Sequence, residues 1–171
     1  MPSLPTLPTA PVTLTGISTG TFGTPVYNWI TFLAAPPTFV GTASGTSVTT
    51  GGTGVALAID GEEIDSAGGH DNVTNNTRYT AQYAGRYLCI GACSWPSNAS
   101  GRRQTSLKKN GTTEYLDANS TIGAVSGALR TQAVRHIFLA VNDYVEVFGF
   151  QDSGSSLSTT GTLQVLWVGS S

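Results

Sequence analysis

The densest group of chemistry-bearing side chains is Asp60, Glu62, Glu63 and Asp65, followed by His70 and Asp71. Carboxylates in such numbers could hold a hard cation such as Ca²⁺, which takes roughly six to eight oxygen ligands. Asp60, Glu62 and Asp65 are the candidate ligands. Glu62 and Asp65 do not share a strand face, however, and the spacing is not that of an EF-hand loop. The competing reading is a solvated edge, or one half of an inter-subunit salt link to Arg102 or Arg103. A glycosidase pair would need two carboxylates roughly 5 to 9.5 Å apart in a cleft, and adjacency in sequence does not supply that.

Other chemistry is sparse. The two histidines are His70 and His136, and His136 stands in the apolar run Val134–Leu139, where a structural role is expected. There is no G-x-S-x-G elbow, H-E-x-x-H, P-loop or G-x-G-x-x-G. Cys89 and Cys93 lie four apart, which on one strand is about 13 Å. A disulfide needs Cα atoms within about 7 Å, so both read as small buried hydrophobes. No catalytic residue and no cofactor is expected, and the chain reads as something other than an enzyme.

Composition narrows the class. Only 11% of the 171 residues are charged, against roughly 25% in an average domain. Thr, Ser and Gly take their place. The net charge of -2 offers no basic surface for a phosphate backbone, and no apolar run approaches the roughly 18 residues of a spanning helix. Nucleic-acid and membrane partners are not expected. The start, Met1-Pro2-Ser3-Leu4-Pro5, has neither a basic residue nor an apolar core, so no secretory signal is expected.

The elements that must carry these residues fall into unlike parts. Nothing before Asp60 is ionisable, and seven of the eight prolines lie at or before Pro37. Pro2, Pro5, Pro8 and Pro11 recur every third residue, the period of polyproline II. They predict an extended arm, or else a disordered proline-rich tail. Thr24-Pro25 then reads as an N-cap with proline at the first helical position. Val26, Trp29, Ile30 and Leu33 follow at helical spacing, and Pro36-Pro37 stops the run. An uncharged helix of about ten residues does not persist alone in water. Residues 1–40 therefore read as an attachment segment, with Pro5, Pro8, Trp29, Phe32 and Leu33 as contact residues.

Residues 41–54 (GTASGTSVTTGGTG) read as a Gly/Thr/Ser linker or a first weak strand. From residue 55 to 171 short β segments follow one another: 55–59, 78–82, 86–95, 102–109, 113–118, 124–129, 133–140, 144–150 and 162–168. Asn110-Gly111 is a strong hairpin signal between the fourth and fifth. Such spacing predicts an all-β sandwich or barrel. The run Arg102-Arg103…Lys108-Lys109, balanced by Glu114 and Asp117, reads as an exposed strand edge. Asn-x-Ser/Thr triplets begin at Asn72, Asn75, Asn98 and Asn110, and they read as Asn/Thr-rich loops.

Several stretches, in order, resemble the C1q/TNF-like jelly roll. They are Tyr83-Ala84-Gly85-Arg86-Tyr87-Leu88, Gly101-Arg102-Arg103 with Leu107 to Gly111, Leu139 to Val147, and the terminal strand Leu163 to Val168. Asn142 stands where that family usually has glycine. More narrowly, the chain is similar to small virion proteins of phages of actinobacteria. The residues carrying this are Asn28-Trp29-Ile30-Thr31-Phe32-Leu33 with Pro36-Pro37, Glu62 to Asp65 with Gly69-His70, and Asp143 to Val147 with Gln151, Ser153-Gly154 and Leu157. The arm before Thr24 has no counterpart in the resemblance.

The resemblance implies an all-β fold: a C1q/TNF-like jelly-roll sandwich preceded by an extended N-terminal arm and one short helix. It also implies a homotrimer packed through aromatic and aliphatic side chains, with Tyr87, Tyr144, Phe148, Phe150 and Trp167 as candidates. The expected function is a phage capsid decoration protein that clamps the head surface, its arm fastened to the major capsid protein. The alternative is a tail or baseplate tip or short fibre that binds a receptor or glycan, with loops 66–77 and 152–161 at its distal end. Either places the chain on the virion surface.

Overall fold

Alternation of inward apolar and outward residues sets the two faces of each long strand. In the strand Gly85–Trp95, Tyr87, Cys89, Cys93 and Trp95 point inward and are fully buried, while Arg86 is exposed. The computed structural model describes residues 24–115, 121–122 and 129–170. The chain divides into two units, Met1–Ala35 and Pro36–Ser171. In the first, helix α1 spans Thr24–Ala34 and has no acidic residue in its first turn and no basic one in its last. Its Val26, Ile30 and Leu33 are more than half exposed and Phe32 is partly buried. Pro5, Pro8 and the side chain of Trp29 lie outside the described residues.

The second unit is a jelly roll of two antiparallel sheets. The strands are β1 (Thr38–Val48), β2 (Val55–Ala56), β3 (Gly61–Asp65), β4 (Arg78–Thr80), β5 (Gly85–Trp95) and β6 (Arg102–Lys109). They continue with β7 (Thr113–Tyr115), β8 (Thr121–Ile122), β9 (Leu129–Leu139), β10 (Tyr144–Gln151) and β11 (Leu157–Gly169). The first sheet runs β3-β1-β11-β5-β9. The second runs β2-β10-β6-β7, with β4 also beside β10 and β8 beside β6. No helix among the described residues is long and apolar enough to cross a membrane.

The core lies between the sheets. Phe39, Tyr79, Tyr87, Trp95, Leu107, Ile137, Leu139, Val147 and Leu163 are at most 1% exposed. Burying the larger of these is worth roughly 1.5–3 kcal/mol each. Several buried polar groups are bonded within the core: the Trp95 indole donates to Thr131 Oγ1 at 2.9 Å, and the Gln151 amide donates to the carbonyls of Val48 and Ser155, whereas the buried Tyr79 hydroxyl has no hydrogen-bond partner. Gly91 is needed for close approach, because a Cβ there would stand 2.6 Å from Val147 Cγ2 on the facing sheet. The Asn110-Gly111 hairpin forms as expected: both residues are left-handed, with φ of 52° and 69°, the Thr112 N–H donates to the Lys109 carbonyl, and Lys109 pairs with Thr113 across the turn.

Three differences from the sequence reading have physical causes. Residues 41–48 are the second half of β1 rather than linker, because β11 and β3 pair with this strand on its two edges and supply what its weak composition lacks. Gly61–Asp65 is a strand, although its carboxylates masked the pattern. The run 102–109 is not an edge, since β6 lies between β10 on one side and β7 and β8 on the other. The strand expected at 124–129 falls mostly outside the described residues.

Candidate assembly surface

The outward side chains of the first sheet form rows across all five strands. Ile64 faces Val40, Val40 faces Gln164, Gln164 faces Ile90, and Ile90 faces Val134. The neighbouring row is Thr38, Leu166, Leu88 and His136, and beyond it Arg86 pairs with Phe138. Leu166, Phe138, Val134, Val168 and Ile64 are between 36% and 47% exposed. Singly exposed apolar residues need no explanation, but a contiguous apolar patch marks an interaction site.

The outer face of the second sheet is also aromatic, and the chain covers it itself. Tyr144, Phe148 and Phe150 are partly buried along β10. Arg78 lies 4.5 Å from the Tyr144 ring centroid, Lys108 4.1 Å from that of Phe148 and Arg102 5.4 Å from that of Phe150. Arg102 Nε pairs with Asp152 at 2.9 Å and Lys109 with Asp143 at 2.6 Å. Asn110 ties the same corner, donating to Asp143 Oδ1 and accepting from the Tyr144 N–H. The Lys109 bond, helped by Asn110 and the Ala140 N–H, holds the Asp143 carboxyl down at about 2. Thr77 donates to Glu146 at 2.6 Å between the aromatic residues.

Among the residues expected at a trimer contact, Tyr87 is corrected outright. It is wholly buried inside its own chain, and its hydroxyl donates to the Tyr83 carbonyl at 2.6 Å. Trp167 packs partly against the same core and donates to the Ala84 carbonyl. Tyr144, Phe148 and Phe150 are together, but under their own cations. Arg103, expected to reach an acidic neighbour, is 1% exposed and donates to the carbonyls of Ser100, Arg102 and Asn98. Cys89 and Cys93 are buried free thiols, and burial pushes both up to about 12.

The acidic cluster does not converge. Asp60 receives the Ser44 hydroxyl and, at 2.8 Å, the Ser44 N–H, which hold its carboxyl below the usual range. Asp65 turns the other way and accepts from the N–H groups of Ala67 and His70. Glu62 stays exposed on β3. Among the described residues no three metal-ligating groups come together. His70 pins its loop: its ring nitrogens meet the carbonyls of Arg78 and Ile59 at 2.8 and 3.1 Å, and the ring stands 5.0 Å from that of Phe39. His136, expected to be structural, is exposed on the apolar face of the first sheet.

The two loops considered for receptor binding do not share an end. The loop at 66–77 leaves β3 where the Ser66 N–H donates to the Thr38 carbonyl at the start of β1, and it enters β4 at Arg78, which pairs with Glu146 part-way along β10. The other loop is only 152–156, since β11 begins at Leu157, and it closes on Thr50 and Arg102 at the far end of β10. Sequence reasoning missed Val40, Ile64, Leu88, Ile90, Val134, Phe138, Leu166 and Val168. The signal was in β5, where Tyr87, Cys89 and Cys93 alternate with Leu88 and Ile90. A strand apolar on both faces is one covered on both.

No protein-family model and no curated protein sequence matches the chain. Solved structures do. The globular domain of zebrafish complement 1qA protein is 11% identical with a TM-score of 0.60, covering 79% of this chain and 99% of that one. The PRD1 vertex protein P5 is 10% identical with a TM-score of 0.55, covering 77% and 97%. The Eiger TNF of S. frugiperda is 12% identical with a TM-score of 0.50, covering 79% and 95%. The fold is a C1q/TNF-like jelly roll, as the sequence resemblance implied.

Proposed function

We propose that this chain is an accessory structural protein of a phage virion. It forms a homotrimer through the outer face of the first sheet and decorates the capsid surface, with residues 1–40 fastened to the major capsid protein. The observation that carries the reading is the outward row Ile64, Val40, Gln164, Ile90 and Val134, apolar but for Gln164 and exposed at its two ends, with the exposed Leu166 beside it, on a sheet whose companion sheet covers its own aromatics. Likeness to a vertex protein supports the virion setting. The exposed apolar side of α1, without a single charge, supports attachment. No residue is assigned a catalytic role and no cofactor is needed. A receptor-binding tip built on loops 66–77 and 152–161 is less well supported, because the first loop starts beside Thr38 at the beginning of β1 and the second closes on Thr50 beyond its end.

Two measurements test this. The purified chain is expected to sediment as a trimer, and a monomer overturns the reading. Residues 1–40 are expected to be cut by protease in the free protein and protected on the particle. Equal cleavage in both states counts against docking.

A further inference from the structure

The His70 ring stands between two segments of backbone and faces an acceptor on each side. Nδ1 lies 2.8 Å from the Arg78 carbonyl at the start of β4, and Nε2 lies 3.1 Å from the Ile59 carbonyl ahead of β3. A carbonyl oxygen only accepts. A neutral imidazole has one N–H to give and an imidazolium has two, so only the charged ring bonds both carbonyls. Ile59 is fully buried, and its carbonyl has no water to turn to when the ring withholds a proton. The Phe39 ring, its centroid 5.0 Å away, backs the imidazole. The same loop is fastened at neighbouring points. The Thr80 N–H donates to the Gly69 carbonyl at 2.7 Å and the Ile59 N–H to the Asn76 carbonyl at 2.8 Å. The His70 N–H donates to Asp65 Oδ2 at 2.8 Å. Beyond these bonds residues 71–75 are all exposed, and Val73 at their centre is 88% exposed.

We propose that His70 is a pH-sensitive clasp on the loop at 66–77. On the acid side the charged ring ties the loop to Arg78 and Ile59 at once and presents the tip 71–75 in one form. As pH rises through the range in which imidazole loses its charge, roughly 5 to 8, one of the two bonds is lost and the loop loosens. The stabilisation is therefore complete at the acid end of that range and falls towards the alkaline end. The other ionisable groups around the ring are engaged. Asp65 on β3 accepts the His70 N–H and Asp60, next to Ile59, is held by Ser44. Asp71 follows in the loop, its carboxyl held low by the Thr74 and Val73 N–H groups and by the charge on His70. On β4 the Arg78 guanidinium lies over Tyr144 and Tyr79 stacks on Phe39, while Glu146 of β10 accepts from Thr77. Carboxylates, arginine and tyrosine change charge outside the imidazole range, so among the described residues His70 alone supplies the switch at this place. The clasp does not depend on the proposed assembly.

The test compares the full-length protein at about pH 5.5 and about pH 8.5, either side of the imidazole range. Hydrogen–deuterium exchange, corrected for the intrinsic rate at each pH, reads the Ile59 and Thr80 amides. Both are expected to exchange about tenfold more slowly on the acid side, the order of effect of one bond to a charged group. His70→Asn places an amide nitrogen near the position of Nδ1 and nothing near that of Nε2. It is expected to exchange at the faster rate under both conditions. Nuclear magnetic resonance of the wild-type protein with labelled histidine is expected to show two slowly exchanging ring N–H protons from His70 on the acid side and a single one on the alkaline side. That measurement decides the matter even where the variant fails to fold. Equal protection of the two amides under both conditions overturns the clasp, and so does a pH dependence that survives in His70→Asn. A single protected ring N–H on the acid side, or none, overturns it as well.

Discussion

The two sheets have comparable cores between them and opposite outer faces. The second sheet places three aromatic residues outward and then covers them with Arg78, Lys108 and Arg102, of which Arg102 is paired with Asp152. The first sheet places mainly aliphatic residues outward and leaves Ile64, Val134, Leu166 and Val168 open. A face whose charges are satisfied within the chain is finished as a surface. A face that leaves its apolar residues open is the one on which the proposed assembly rests. Aromatic content drew candidate contact residues from both sheets, Tyr87 and Trp167 from the first and Tyr144, Phe148 and Phe150 from the second, so it does not distinguish the two faces.

The sharpest way to break this comparison is to make each face polar in turn. Val134→Asp with Leu166→Asp is expected to abolish the trimer, by more than roughly a hundredfold, with a melting temperature close to that of the wild-type monomer unit. Phe148→Ser on the other sheet is expected to leave association unchanged. Analytical ultracentrifugation of both variants reads the difference, and loss of assembly only in the second would reverse the assignment of the faces.

The next effect concerns the space between the sheets. Gly91→Val would drive side-chain atoms into Val147 and Leu107. Overpacking of this kind costs about 1–3 kcal/mol, measurable in urea unfolding, and it is expected to fall equally on both sheets.

Acid separates them again. Asp143 is held at about 2 in the folded chain by Lys109 and Asn110, below the roughly 3.9 of an unfolded aspartate. Its bonds therefore stabilise the fold above about pH 4, and that contribution fades as pH falls towards about 2. Partial exposure screens it, which leaves about 1–2 kcal/mol. Asp143→Asn is expected to lower stability at pH 7 and to flatten the acid limb between about pH 4 and 2. An unchanged acid limb would show that the corner around Lys109 contributes nothing.

The smallest effect is that of a single covering cation. Lys108→Ala should cost about 0.5–1 kcal/mol through loss of the contact over Phe148. It should also raise binding of a hydrophobic dye, because the ring it covers would open to solvent.

Much of this architecture was legible before any coordinates. Turn chemistry at Asn110-Gly111, alternation through Arg86–Trp95 and the absence of helical periods after residue 54 define an all-β body, because those signals are local and depend on backbone and side-chain sterics. The helix at Thr24–Ala34 was legible for the same reason, between Thr24-Pro25 and Pro36-Pro37. What stayed hidden is non-local. That Gly41 to Val48 is a strand depends on β11 and β3 arriving on either side of it. That Tyr87 is buried and Phe138 open depends on which face of its sheet the other sheet covers. Residue types and spacing determined the elements and their two-sidedness; the packing of one sheet on the other decided which side was left for a partner, because burial belongs to the whole fold rather than to any segment.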